Sequence, residues 1–204
     1  LMDEGMDPLR LSNLVFMGMG EPLANYDTLI RALSTLTDTD FGFKFSPRRV
    51  TVSTCGLVPK IIRLGQDTTV NLAISLNAVT HEKRSELMPV NKKYPLADLL
   101  AACRQFQMKP RNKITFEYIL IKGVSDSLAD AQKLVTCLKG IRAKVNLIPF
   151  NEHEKSAFRR PSKAACESFL QVLLDAGLTA ITRKSKGDDI SAACGQLSAD
   201  PDIA

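Results

Sequence analysis

The sequence predicts an α/β fold in which strands and helices take turns along the chain. Three observations carry this: short β-branched runs recur from end to end, longer amphipathic segments fill the intervals, and helix-start and helix-stop residues sit at the joints. Such an array either closes as a (β/α) barrel or stays open as a doubly wound sheet. In both, chemistry gathers at the C-terminal ends of the strands.

The first run is Leu14-Val15-Phe16-Met17, followed by a glycine-containing turn and a helical pattern over residues 26–37. Val50-Thr51-Val52-Ser53 is the second run, and a helix over 57–64 follows with Pro59 in its first turn, where a missing N–H is harmless. The third run covers 70–76, and its Asn71-Leu72-Ala73-Ile74-Ser75-Leu76 reads as a nearly apolar strand covered on both faces by crossover helices. Helical patterns over 82–88 and 96–106 precede a fourth run at 114–120. A helix over 128–139 lies between Ser127 as N-cap and Gly140 as stop, then a fifth run at 145–150. The last helix, 163–176, lies between Ser162 and Gly177, before a final run at 178–182. With no internal repeat, low-complexity tract or linker, residues 1–204 read as one domain.

At 204 residues, 45% hydrophobic and 24% charged, the chain can bury a substantial core, which excludes a disordered segment. No uninterrupted apolar stretch suits a membrane helix, and Leu1-Met2-Asp3-Glu4-Gly5 lacks the layout of a secretory signal, so the expectation is a cytoplasmic protein with no membrane partner. Starting at Leu rather than Met, the sequence is expected to begin inside a longer product. The net charge of +5 and pI near 9.0 favour a polyanionic partner. The excess gathers at Arg48-Arg49, Lys92-Lys93, Lys109 with Arg111 and Lys113, Arg159-Arg160, and Arg183-Lys184 with Lys186. Clusters sharing one face would track phosphates; each taken singly also suits a solvated rim.

Five cysteines, Cys55, Cys103, Cys137, Cys166 and Cys194, are odd in number and widely spaced with no C-x-x-C pair, which argues against a disulfide framework and a zinc ribbon. The first four sit in contexts where a free cysteine acts as a small buried hydrophobe. Cys194 stands in Ala192-Ala193-Cys194-Gly195, sterically open, with Arg183, Lys184 and Lys186 favouring its thiolate and Asp188 and Asp189 opposing it. It reads as a nucleophile or as a small residue in a capped turn.

The polar sequences after the strands form a single expected rim: Gly18-Met19-Gly20-Glu21-Pro22, Ser53-Thr54-Cys55-Gly56, Ser75-Leu76-Asn77, Glu117 and Pro149-Phe150-Asn151. In the first, two glycines let a ligand approach the backbone, and carbonyls with Glu21 together can meet an ammonium group. A bare G-x-G after a strand more often marks a tight turn.

Several strings then occur in order: Phe16-Met17-Gly18-Met19-Gly20-Glu21-Pro22-Leu23, Ser46-Pro47-Arg48-Arg49-Val50-Thr51-Val52-Ser53-Thr54, Leu87-Met88-Pro89-Val90-Asn91-Lys92-Lys93-Tyr94-Pro95, Val145-Asn146-Leu147-Ile148-Pro149-Phe150-Asn151, and Gly187 through Leu197. Over residues 14–197 the chain resembles the radical SAM adenine-carbon-2 methyltransferases of 23S rRNA and tRNA. The resemblance implies a partial (β/α) barrel of the radical SAM type, open where a first strand and cluster loop are missing. It implies that Gly20 and Glu21 hold the amino group of S-adenosylmethionine, that Ser53, Ser75, Leu76, Asn77 and Asn151 make further cofactor contacts, and that Cys194 is the cysteine that becomes S-methylated. A related branch methylates carbon-8 of the same adenine; Pro22 and Pro149-Phe150-Asn151 resemble the carbon-2 branch.

In the family's mechanism, one S-adenosylmethionine methylates the cysteine and a second is cleaved by a reduced [4Fe–4S] cluster, activating that methyl group for addition to the adenine. Polar transfer would fail because adenine carbon-2 is a poor nucleophile. The resemblance also implies an external reductant and a monomeric parent. Two departures stand out. Asn77 replaces the family's usual His, keeping a hydrogen bond but not a neutral-pH titration. The cluster's C-x-x-x-C-x-x-C ligands and the resolving cysteine have no counterpart here, so the cluster ligands are expected outside this chain, with no metal ligand within it. The expectations are therefore an inactive fragment of an RNA methyltransferase, or a non-catalytic RNA-binding remnant, or an unrelated (β/α) enzyme using the rim for a phosphate. An unpaired sheet edge is expected at Leu14–Met17.

Overall fold

The computed structural model describes residues 12–18, 20–152 and 156–183. Six parallel strands lie in sequence order: β1 (Leu14–Phe16), β2 (Val50–Thr54), β3 (Asn71–Ser75), β4 (Ile114–Leu120), β5 (Ala143–Pro149) and β6 (Thr179–Thr182). The helices are α1 (Tyr26–Thr37), α2 (Val58–Asp67), α3 (His81–Leu87), α4 (Leu96–Gln105), α5 (Leu128–Cys137) and α6 (Lys163–Asp175). All of these match the sequence expectations to within a few residues at their ends. Ser127 and Ser162 cap α5 and α6, their hydroxyls accepting the N–H of Asp130 and of Ala165, each at 3.1 Å.

Strand register explains which side chains meet the helices. Ile74, Phe116, Val145 and Ala180 fall opposite one another across β3 to β6, and all four belong to the core that α1, α2, α4, α5 and α6 cover. One residue further along lies the row Ser75, Glu117, Asn146 and Ile181, which faces the other way because side chains alternate along a strand. None of that second row joins the core. The expectation of a sheet covered on both faces is corrected here: among the described residues, helices cover one face only. Asn71-Leu72-Ala73-Ile74-Ser75 is an alternation, with Leu72 and Ile74 buried among helices and Asn71 and Ser75 on the opposite face.

Among the described residues β1 and β6 are the two edges, so the sheet is open rather than a closed barrel. Val15 on β1 is half exposed. Parallel strands also sort the basic clusters. Arg48, Arg49, Lys109, Arg111 and Lys113 precede β2 and β4, at the N-terminal ends of the strands, whereas Lys92, Lys93, Arg159, Arg160 and Arg183 follow β3, β5 and β6. The described basic residues therefore divide between the two ends of the sheet.

Candidate functional site

The C-terminal ends of β1 to β4 border a cavity of about 440 Å³, with Gly20, Glu21, Ser53, Ser75, Asn77 and Glu117 in its wall. Small-molecule sites run from roughly 300 to 1,000 Å³. A larger cavity, about 650 Å³, opens at the other end of the sheet beside α1 and α2. Its carboxylate, Asp67, is already engaged by the Tyr26 hydroxyl at 2.8 Å and by Arg63 at 3.2 Å.

The wall is assembled from turns that the backbone can make only at particular residues. Gly20 has φ +88°, which an L side chain would resist, and this turn brings Glu21 over the end of β2. There one Glu21 oxygen accepts the Leu23 N–H at 2.9 Å and the other accepts the Cys55 N–H at 2.7 Å. A carboxylate offers about four acceptor positions, so Glu21 both braces two loops and retains capacity for a cationic ligand. Gly56 has φ +116°, and a Cβ there would lie 3.3 Å from Leu99 and 3.4 Å from the Arg84 guanidinium.

Arg84, on α3, is fully buried beneath this rim. Its Nε donates to the Leu76 carbonyl at 3.1 Å, one terminal nitrogen donates to the Cys55 and Ser75 carbonyls at 2.7 and 3.3 Å, and the other donates to the Asn91 side chain at 2.9 Å. All four bonds end on amide carbonyl oxygens. A planar, weakly hydrated guanidinium suits that task better than an ammonium. Buried Asn91 is itself held, its Nδ2 donating to the His81 carbonyl at 3.1 Å and the Ser85 hydroxyl at 2.7 Å. The Met88-Pro89-Val90-Asn91 string thus has a structural role: it fixes the residue that fixes the rim.

Of the residues singled out from sequence, Gly20, Glu21, Ser53, Ser75 and Asn77 meet at the one cavity. Leu76 does not: its side chain is fully buried in the core, while its N–H donates to the Glu117 carbonyl at 2.9 Å. Asn151 lies outside the named wall, buried, and accepts from Arg160 at 3.0 Å. Cys194 lies outside the described residues. Asn77 adopts φ +60°, its N–H 3.3 Å from the Glu117 carbonyl and its Nδ2 3.4 Å from the Met88 sulfur, while its Oδ1 has no partner.

Sequence reasoning missed Arg84, which resembles any charged residue on an exposed helix, and placed Cys55 and Glu117 on the rim without a role. Burial pushes the Cys55 thiol up to about 12, helped by the neighbouring Glu21 carboxylate. Burial likewise raises the Glu117 carboxyl above its ordinary range, with Arg183 opposing.

The described residues do not fit an iron–sulfur cluster. No three His, Cys, Asp or Glu side chains converge among them, and Cys55, Cys103, Cys137 and Cys166 are free thiols on four different elements or loops, each raised by burial away from the thiolate form that iron requires.

No family model matches the chain. Curated relatives do: it is 61% identical over 94% of its length to the dual-specificity RNA methyltransferase RlmN of Desulfosudis oleivorans, and 60% identical over 93% to that of Geobacter sulfurreducens. A radical SAM methyltransferase crystal structure from Sphaerobacter thermophilus is 44% identical and superposes over 96% of the chain with TM-score 0.86. Over that length the chain is similar to radical SAM methyltransferases. It spans about half the length of the relatives it matches: 52% of each of the two curated proteins and 56% of the Sphaerobacter chain. A domain of a pyruvate-formate lyase-activating enzyme from Bacteroides vulgatus, 20% identical with TM-score 0.65, shares the fold alone, over 85% of this chain and 99% of its own length.

Proposed function

We propose that this chain serves in an RNA methyltransferase acting on carbon-2 of an adenine in 23S rRNA and tRNA, holding S-adenosylmethionine in the rim cavity and offering Cys194 as methyl acceptor. The observation that carries this reading is the meeting of Gly20, Glu21, Ser53, Ser75 and Asn77 at one cavity, in a chain whose relatives are named dual-specificity RNA methyltransferases. The carbon-2 assignment is supported by the resemblance of Pro22 and Pro149-Phe150-Asn151 to that branch.

The residues present fit the cofactor. Glu21 would pair with the ammonium of its amino-acid end, and the hydroxyls of Ser53 and Ser75 would donate or accept hydrogen bonds. When bound, S-adenosylmethionine supplies a methyl group made electrophilic by its sulfonium. Cys194 would accept that methyl as the thiolate, with S-adenosylhomocysteine as the leaving group; Arg183, Lys184 and Lys186 nearby in sequence favour that form, and Asp188 and Asp189 oppose it. No step is derived through an iron–sulfur cluster, whose ligands the described residues do not provide.

Peptide mass spectrometry on the protein made in cells tests the reading: the peptide carrying Cys194 should bear one methyl group on sulfur. An unmodified Cys194 in catalytically competent protein would sink the acceptor assignment. Nucleoside analysis of 23S rRNA from cells with and without the gene should show gene-dependent 2-methyladenosine; 8-methyladenosine would move the chain to the other branch.

A further inference from the structure

Phe158 holds an aromatic ring out toward solvent in the loop that leaves β5, at the same end of the sheet as the cavity. It is 38% exposed, and its ring meets that of half-buried Phe150 edge to face with centroids 5.9 Å apart. The loop is braced. The Phe150 N–H donates to the Leu120 carbonyl at 3.0 Å and the Lys122 N–H to the Arg159 carbonyl at 2.9 Å, while the Arg160 guanidinium reaches the Phe150 carbonyl and the Asn151 side chain, both at 3.0 Å. Exposed Lys122 and Arg159 flank the ring in the same two loops. One terminal nitrogen of Arg159 donates to the Ser156 and Phe158 carbonyls at 2.9 and 3.1 Å, and the other makes no bond among the described residues. The nearby acids are engaged by backbone: Glu152 accepts the Arg160 N–H and Asp126 the Gly123 N–H, each at 2.8 Å.

We propose that the Phe150–Phe158 pair is a stacking platform for an unpaired RNA base, with Lys122 and Arg159 holding the phosphates beside it. This rests on the RNA reading above. Rings set among cations suit single-stranded RNA, because every base has a π-face and every linkage a charge. A duplex offers the same charges but keeps its bases stacked on one another. Position supports the assignment: Ile148 of β5 lines the cavity, and Phe150 lies two residues further along the chain, roughly 7 Å at the rise of a strand. A base held in the cavity therefore has its neighbour in the same RNA strand within reach of the rings. Bracing lowers the cost of capture, since the loop is ordered before the base arrives.

Fluorescence anisotropy at a fixed salt concentration tests the platform, with two probes of equal charge: a hairpin RNA bearing an unpaired loop, and a fully paired RNA duplex. Wild type should prefer the hairpin. Phe158→Leu keeps apolar bulk but removes the π-face, so it should weaken hairpin binding on the order of 10-fold and leave duplex binding unchanged. Phe158→Trp should bind the hairpin at least as well as wild type. The chain contains no other tryptophan, so the emission of that indole reports the contact directly and should be quenched by the hairpin. Lys122→Gln should weaken both RNAs and flatten the dependence of log K on log salt by roughly 0.7, the share of one phosphate on a single strand. Hairpin binding that Phe158→Leu leaves intact, equal losses for hairpin and duplex, or an indole unmoved at saturating hairpin each overturn the platform and leave the RNA reading standing. An unchanged salt slope for Lys122→Gln overturns its phosphate contact. A wild-type chain that binds neither RNA overturns the RNA reading and this inference together.

Discussion

Cys55 illustrates how a residue's surroundings decide its chemistry. It lines the cavity, yet burial and the Glu21 carboxylate hold its thiol up to about 12, against an ordinary value of 9.0. The sign follows from the charge: a buried acid beside an anion keeps its proton, so the nucleophilic form appears only in strong alkali. A rise from 9.0 to about 12 leaves about 1000-fold less thiolate at neutral pH. Alkylation by iodoacetamide, read by peptide mass spectrometry, should be slower at Cys55 than in the urea-unfolded chain by about that factor, and should keep climbing above pH 9, where the unfolded chain levels off. Rapid labelling of native Cys55 at pH 7 would contradict this. Sequence offered no way to see it, because burial comes from the fold and the carboxylate that adds to it is 34 residues away in the chain. Glu21 itself was legible, since a carboxylate following two glycines at a strand end is a local pattern.

The element that makes the rim rigid is α3 with the turn that follows it. Its Arg84 joins the ends of β2 and β3 by bonding the carbonyls of Cys55, Ser75 and Leu76, and Asn91 steadies the guanidinium from behind. An ammonium is a point donor and does not span three carbonyls in the plane of a guanidinium. Arg84→Lys should therefore lower stability by roughly 3 kcal/mol in urea unfolding, as carbonyls lose their donors in a buried place. Asn91→Ala should lower it by less. An Arg84→Lys protein as stable as wild type would show that the clasp is dispensable. The strands and helices were readable from period and caps, whereas this clasp was not: an arginine in His81-Glu82-Lys83-Arg84 looks solvent-facing until the fold turns it inward.

At the scale of the molecule, the open parallel sheet gives the protein two chemically different ends. The cavity and the basic residues Lys92, Lys93, Arg159, Arg160 and Arg183 share the C-terminal ends of the strands or the loops leaving them. The other basic residues, Arg48, Arg49, Lys109, Arg111 and Lys113, lie at the opposite end. On the proposed function, an RNA reaching the cavity would meet the first group. Neutralising Lys92 and Lys93 together should weaken binding of a structured RNA, measured by fluorescence anisotropy, and flatten the dependence of log K on log salt by roughly 1.5, the share of two phosphates. Neutralising Arg48 and Arg49 should change little. The reverse ranking would place the RNA at the other end of the sheet.

The sequence by itself determined the alternation of strands and helices, the caps at Ser127 and Ser162, and the glycine turn that carries Glu21. These depend on neighbours within a few residues, or on motifs that recur in order. Only the tertiary structure decided that, among the described residues, helices cover one face of the sheet and the basic residues separate, that Leu76 belongs to the core, and that Arg84 and Glu117 are buried at the rim. Those facts depend on strand register and on contacts between residues far apart in sequence, where a one-residue step exchanges core for cavity.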